Sequence, residues 1–253
     1  MLRAEGISVT FGGIRALDTV GLEVETGMVT GLIGPNGAGK TTMFNVIAGL
    51  QRPTAGRIWL GDRDITGLAA LRRARLGVAR TFQRLEIFGS ISTRDNVLVA
   101  LESRRGLAPR RQRRDRANQL LEWVGLTPVA DVPADVLSTG NARRLELVRA
   151  LATEPKVLLL DEASSGLDSY EKEHFAELLS GVARDGVAVL LVEHDMDLVM
   201  RICTNLFVLD FGELLAEGDP ETISRNATVQ QAYLGPDGPS HGAGVRADGA
   251  HHA

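Results

Sequence analysis

Residues 34–42 read GPNGAGKTT, which fits G-x-x-x-x-G-K-[ST] with Gly34, Gly39, Lys40 and Thr41 in the fixed places. Residue types at this spacing suit the cradling of a phosphate chain. Glycines let backbone N–H groups turn inward around phosphate oxygens, and a following helix aims the positive end of its dipole at the same charge. Pro35, Asn36, Gly37, Ala38 and Thr42 complete the segment. Lys40 is expected to reach the β and γ phosphates, and the Thr41 hydroxyl to ligate Mg²⁺. A chance glycine-rich turn needs no particular context. Here an apolar run, VTGLI, leads in and TTMFNVIAGL follows with helical character.

A phosphate loop does not by itself separate kinases, GTPases and ATPases. The second signal is VLLLDE, residues 157–162, four apolar residues followed by Asp161 and Glu162. An aspartate closing a buried strand can hold Mg²⁺ through water. The next residue points to the other side of the chain, where a carboxylate can act as general base on an attacking water. Gln83, after GVARTF, and His194, after VAVLLVE, also follow apolar runs. Singly, each reads as a loop glutamine and a capping or core histidine. Ligands of open α/β sheets sit at the carboxyl ends of the strands, so the four positions are expected to converge on one edge. The stretch VLSTGNARRLELVRAL, 136–151, reads by itself as a helix capped by Ser138 or Asn141.

The elements that must position these residues follow from the patterning. Alternating ISVTF and GLEVE, and the later strand-length runs at 157–161, 187–193 and 205–210 between amphipathic helices, predict an α/β fold with a largely parallel sheet. Residues 90–155 hold few strand-like runs and several helical ones, and are read as a helical subdomain inserted into that core. Within it, arginines at 104, 105, 110, 111, 113, 114 and 116 read first as solvated surface and alternatively as a contact for anionic lipid headgroups. From residue 236 to 253 a Gly-, Ala- and His-rich stretch without periodicity is expected to be a disordered tail.

A formal net charge of −4 gives no support to nucleic-acid binding. Cys203 is the only cysteine, so no intrachain disulfide can form. The start, MLRAEGISVT, lacks the apolar stretch of a secretory signal. GVAVLLV at 186–192 falls far short of the roughly 18 residues that span a bilayer. The expected setting is the cytosol, with any membrane served through a partner.

Taken in order, these motifs resemble those of the ATP-binding subunits of ABC transporters, over about residues 2–234. The resemblance rests on the phosphate loop, Gln83, LSTGN at 137–141, VLLLDE, SSGLD ending at Asp168, and His194. It implies a P-loop ABC ATPase fold over 1–235, with a mostly parallel core, an antiparallel β portion and the inserted helical subdomain. It further implies ATP and Mg²⁺ as ligands, with Glu162, His194 and Gln83 catalytic and Thr41, Gln83 and Asp161 on the metal. Phe11 would stack on adenine. Ser138, Gly140 and Asn141, with Asp168 nearby, would meet ATP held by the other subunit of a head-to-tail dimer, formed with itself or with a sibling ATPase. Transmembrane permease subunits, and indirectly a secreted solute-binding protein, would complete the assembly at the cytoplasmic face of the membrane.

The wording of ARTFQ and AYLG is similar to that of the ATPases for branched-chain, hydrophobic amino acids. Urea or amide importers share much of it, and a non-transport assembly factor is the reading from another class. Thr139 and Asn141 depart from the usual glycine or tyrosine and glutamine of the signature, and Ala163 stands where a proline is usual. A slow or asymmetric ATPase is the expectation from these departures.

Overall fold

Three of the apolar runs have no polar face, and they form the strands with no exposed side. In the computed structural model, which describes residues 1–81, 85–102 and 109–234, β3 (Val29–Ile33), β7 (Val157–Asp161) and β8 (Ala188–Val192) are buried at every position. Burial on both faces is what a parallel sheet under two layers demands. The remaining strands are β1 (Leu2–Phe11), β2 (Ile14–Val24), β4 (Ala55–Leu60), β5 (Arg63–Asp64), β6 (Val78–Arg80), β9 (Asn205–Asp210) and β10 (Glu213–Gly218). The larger sheet has the order β10-β9-β3-β8-β7-β6, parallel except for β10, and the smaller runs β2-β1-β4-β5, antiparallel.

The helices are α1 (Lys40–Ala48), α2 (Ala70–Ala74), α3 (Thr93–Glu102), α4 (Arg110–Trp123), α5 (Thr139–Leu151), α6 (Ser169–Arg184), α7 (Met196–Ile202), α8 (Pro220–Arg225) and α9 (Ala227–Leu234). Alternation along the strands assigns them to two cores. Val157 and Leu159 of β7 face one cluster with Met43, Phe44, Val46 and Ile47 of α1 and with Ile7 and Val9 of β1. Leu158 and Leu160 face the other, with Phe175 and Leu179 of α6 and Leu145 and Val148 of α5. α1 is therefore held between the two sheets, which fixes the loop before it.

Strands β6 and β7 are parallel neighbours, paired Val78 to Val157 and Arg80 to Leu159, yet α3, α4 and α5 intervene in sequence. Buried Val97, Leu101, Leu120, Leu121 and Leu145 pack these helices onto the second core. The fully buried Asn96 ties α3 back to the chain: its carboxamide accepts from Phe88 N at 2.9 Å and donates to Phe88 O at 2.9 Å. On the other side, Thr81 N donates to Leu159 O at 2.9 Å. Gln83 itself, Arg104 and Arg105, and the tail 236–253 lie outside the described residues. Of the basic segment, Arg110, Arg111, Arg114 and Arg116 are exposed on α4, while Arg113 pairs with Glu102. No helix among the described residues is long and apolar enough to cross a membrane.

Candidate nucleotide-binding site

The loop after β3 has a shape that its residue types impose. Gly34, at φ 149°, lies so close to β9 that a Cβ there would stand 2.1 Å from the Leu209 carbonyl oxygen. Gly37, at φ 83°, has nothing within 4 Å of such a Cβ, so its constraint is backbone conformation alone, and it leaves the mouth of the loop open. Ala38 N donates to Pro35 O at 3.2 Å and Gly212 N to Ala38 O at 3.1 Å, tying the loop to the β9–β10 turn. α1 then starts without a side-chain cap and without an acidic residue in its first turn. Uncapped first-turn amides at the positive end of a helix dipole form an anion site.

Lys40 begins that helix, buried, with its ammonium donating to Gly34 O at 2.5 Å and Pro35 O at 2.9 Å. Burial pushes its pKa below the usual lysine value, and the charges of Glu162 and Asp161 oppose that fall. The two carboxylates therefore share the electrostatic surroundings of the loop. Thr41 is exposed and Thr42 half-buried on the first turn.

Asp161 ends β7 opposite Val192 of β8, so the two strand ends lie side by side. Its Oδ2 accepts from Arg80 Nη2 at 3.0 Å, and Arg80 Nη1 donates to Asn45 Oδ1 of α1 at 2.6 Å. The next residue leaves the strand in a bend. Glu162 takes a left-handed φ of 49°, its N–H donates to Val192 O at 2.8 Å, and its Oε1 lies 2.8 Å from His194 Nε2. Glu193, which precedes His194, is 3% exposed, and its Oε1 accepts from Ser164 N at 2.8 Å. Burial raises the pKa of Glu193, against the lowering effect of its Ser164 bonds. Asp195 caps α7 by accepting from Leu198 N at 3.1 Å, and its pairing with Lys172 at 2.5 Å holds its carboxyl below the ordinary range.

The turn 137–141 sits elsewhere, between α5 and α6. Ser138 is the N-cap of α5, accepting from Asn141 N at 3.3 Å. Thr139 packs near Gly166, where a Cβ would meet its methyl at 3.1 Å. Gly140 admits Glu171: a Cβ there would stand 2.0 Å from Glu171 Oε1. Glu171 belongs to a capping box with Asp168, which receives Glu171 N on Oδ1 at 2.8 Å and donates its own N–H to Glu171 Oε2 at 3.2 Å. The Asn141 carboxamide oxygen accepts from Arg144 Nη2 at 2.5 Å, while Arg144 Nη1 donates to Val124 O at 3.1 Å. Phe11 stands at the β1–β2 hairpin end, 47% exposed.

The fold thus brings the 34–42 segment, Asp161, Glu162 and His194 to the carboxyl ends of the central strands, and holds Ser138, Gly140, Asn141 and Asp168 together as a second group. Arg80, Asn45 and Glu193 are the polar residues of the site that motif reading passed over. An arginine closing the apolar-leaning GVAR and a glutamate closing VAVLLVE were the available signals.

Phosphate loop, strand-end carboxylates and doubly covered parallel sheet define a P-loop nucleotide-binding protein. The ABC transporter family matches residues 17–165, and the branched-chain amino acid ATP-binding cassette transporter family matches 213–235. The chain is 40% identical over 249 residues to the high-affinity branched-chain amino acid transport ATP-binding protein LivG of Salmonella typhimurium, covering 93% of this chain and 98% of that one. Among solved structures it is similar to the ADP conformation of MJ1267, an ATP-binding cassette of an ABC transporter, at TM-score 0.85 and 30% identity over 93% and 98% of the two chains. It is also similar to the dimeric structure of MJ0796, a bacterial ABC transporter cassette, at TM-score 0.78 and 28% identity over 87% and 99%. The chain belongs to the ABC transporter family and is one of its ATP-binding subunits, an ATPase.

Proposed function

We propose that the chain drives an importer of branched-chain or related hydrophobic amino acids by hydrolysing ATP. The observation that carries the catalytic part is the 2.8 Å Glu162–His194 contact at a strand end beside Asp161 and the lysine of the phosphate loop. With its proton on Nε2, His194 donates to Glu162 and holds the carboxylate in one orientation as it accepts a proton from the attacking water. Lys40 and the first-turn amides of α1 bind the phosphates, and Phe11 offers an aromatic face to the adenine. The solute class rests on the likeness to LivG and on the match at 213–235.

The donor set fits Mg²⁺. The Thr41 hydroxyl and the Asp161 carboxylate are hard oxygen ligands, and among the described residues no group of three or more His, Cys, Asp or Glu could hold a metal by itself. That suits an ion retained by one or two protein oxygens together with substrate phosphates and water. When bound, Mg²⁺ supplies charge neutralisation on the phosphates. Gln83 is proposed as a further ligand and as the relay to permease subunits.

In this reading Ser138, Gly140 and Asn141 of one subunit close over ATP on the other, with Asp168 at the same interface. The partner is a second copy or a sibling ATPase, and the pair works at the cytoplasmic face of the membrane beneath permease subunits fed by a solute-binding protein. The test is Glu162→Gln in the full chain and in the transporter reconstituted in liposomes. ATP binding should survive while hydrolysis and leucine uptake fall together, by a hundredfold or more on the scale of a lost general base, roughly 10²–10⁴. Turnover close to that of the parent would refute the role of Glu162; intact hydrolysis without uptake of any branched-chain amino acid in the parent complex would refute the solute.

A further inference from the structure

Arg80 reaches Asp161, Asn45 and Phe44. It closes β6, opposite Leu159 of β7, so its side chain extends along the sheet edge toward the end of the neighbouring strand. One arm of the fork donates to Asp161 Oδ2 at 3.0 Å and the other to Asn45 Oδ1 at 2.6 Å. The guanidinium carbon lies 5.7 Å from the centre of the Phe44 ring. Asn45 and Phe44 belong to α1, the helix whose N-terminus closes the phosphate loop. Both members of the ion pair are deeply buried, with side-chain exposures of 10% for Arg80 and 9% for Asp161.

A planar fork bridges two acceptors in fixed geometry, which a flexible ammonium does not. Asp161 has a second oxygen, Oδ1, with no hydrogen bond among the described residues. We propose that Arg80 is a positioning residue for Asp161: it clamps one carboxylate oxygen to α1, so that the other is presented in a fixed place to the cation that accompanies the nucleotide. The proposal rests on the reading of Asp161 as a metal ligand given above. Outer partners of a metal-ligating carboxylate orient it, and their loss typically costs about 10–100-fold in metal affinity.

The arrangement predicts which variant loses what. Arg80→Gln should leave α1 and its loop in place but release the carboxylate. Arg80→Lys keeps a charge near Asp161 without the bridge to Asn45. Asn45→Ala keeps the ion pair and removes the anchor on α1.

Titration of the purified full chain with a fluorescent ATP analogue, once with Mg²⁺ and once with EDTA, gives the factor by which metal strengthens nucleotide binding. Mn²⁺ spectra of the nucleotide complex report the ligand geometry directly, and circular dichroism melts verify folding. For Arg80→Gln the metal-dependent factor should fall by about 10–100-fold, with a much smaller change in EDTA and an altered Mn²⁺ spectrum. Arg80→Lys should recover part of the loss, and Asn45→Ala should show a smaller loss in a fully folded protein. An unchanged factor for Arg80→Gln overturns the proposal. So does a larger factor, which would make Arg80 a competing charge, and so does an equal loss with and without metal, which would make it a structural ion pair. A parent chain that binds the analogue with no help from Mg²⁺ would bring down the reading of Asp161 and this proposal together.

Discussion

Asn141 is one methylene shorter than the glutamine usual at its position, and its carboxamide oxygen is bound to Arg144 of the next turn, which also donates to the end of α4 through Val124 O. The turn is thereby fastened to the helix before it. Hydrogen bonds to charged groups contribute about 1.5–3 kcal/mol, so Arg144→Ala should lower unfolding free energy by roughly that amount in urea titrations. A loss near zero would mean the clamp is ornamental. Glu193 gives a prediction with a sign. Its folded pKa is raised by burial, so the folded chain keeps a proton that the unfolded chain releases. Its contribution is most favourable below the usual carboxylate range and is lost as pH rises through the raised value. Glu193→Gln stays neutral and still accepts from Ser164 N, so its melting temperature should gain on the parent's as pH goes from 4 to 7. A difference that stays constant or shrinks with pH would contradict the burial argument.

At the scale of elements, α5 and α6 are coupled through their N-terminal ends. Gly140 leaves room for the Glu171 carboxylate, and that carboxylate completes the capping box of α6. An added methyl at Gly140 meets a movable side-chain end, so Gly140→Ala should act by expelling Glu171 from the box. Loss of a cap costs about 0.5–2 kcal/mol. Gly140→Ala and Glu171→Ala should therefore overlap strongly in a double-mutant cycle. If their effects on chemical denaturation simply add, the two helices are not coupled in this way. Gly34→Ala presents the opposite case, because the obstacle is the Leu209 carbonyl of β9, which can move only with its strand. It should destabilise more than Gly140→Ala in the same assay.

At the scale of the whole molecule, α1 lies between two sheets and the capped turn of α5 lies on the inserted helices, so in the proposed function one subunit holds two separate halves of a site. Ser138→Arg should nearly abolish ATPase activity of the assembled transporter by obstructing closure, while nucleotide binding to the isolated chain persists; full coupled hydrolysis would return 137–141 to a helix cap. Sequence was sufficient for the phosphate loop, because a strand, a run of glycines and a helix start are requirements on neighbouring residues. It was also sufficient to place Asp161, Glu162 and His194 at strand ends, since apolar runs announce where buried strands stop. It could not show that Arg80 meets Asp161 across 81 positions. Nor could it show that Arg73, within the surface-like string ALRRAR, is buried at 1% exposure and donates to the carbonyls of Val46, Ile47, Thr66 and Leu68. The Glu193–Ser164 bond and the Glu171–Gly140 fit belong with these. Each joins residues whose approach is set by the register of β6, β7 and β8 and by the packing of α1, α5 and α6. Local pattern fixes where a strand or helix begins and ends, whereas the choice of which polar group is buried against which is made only when the layers close.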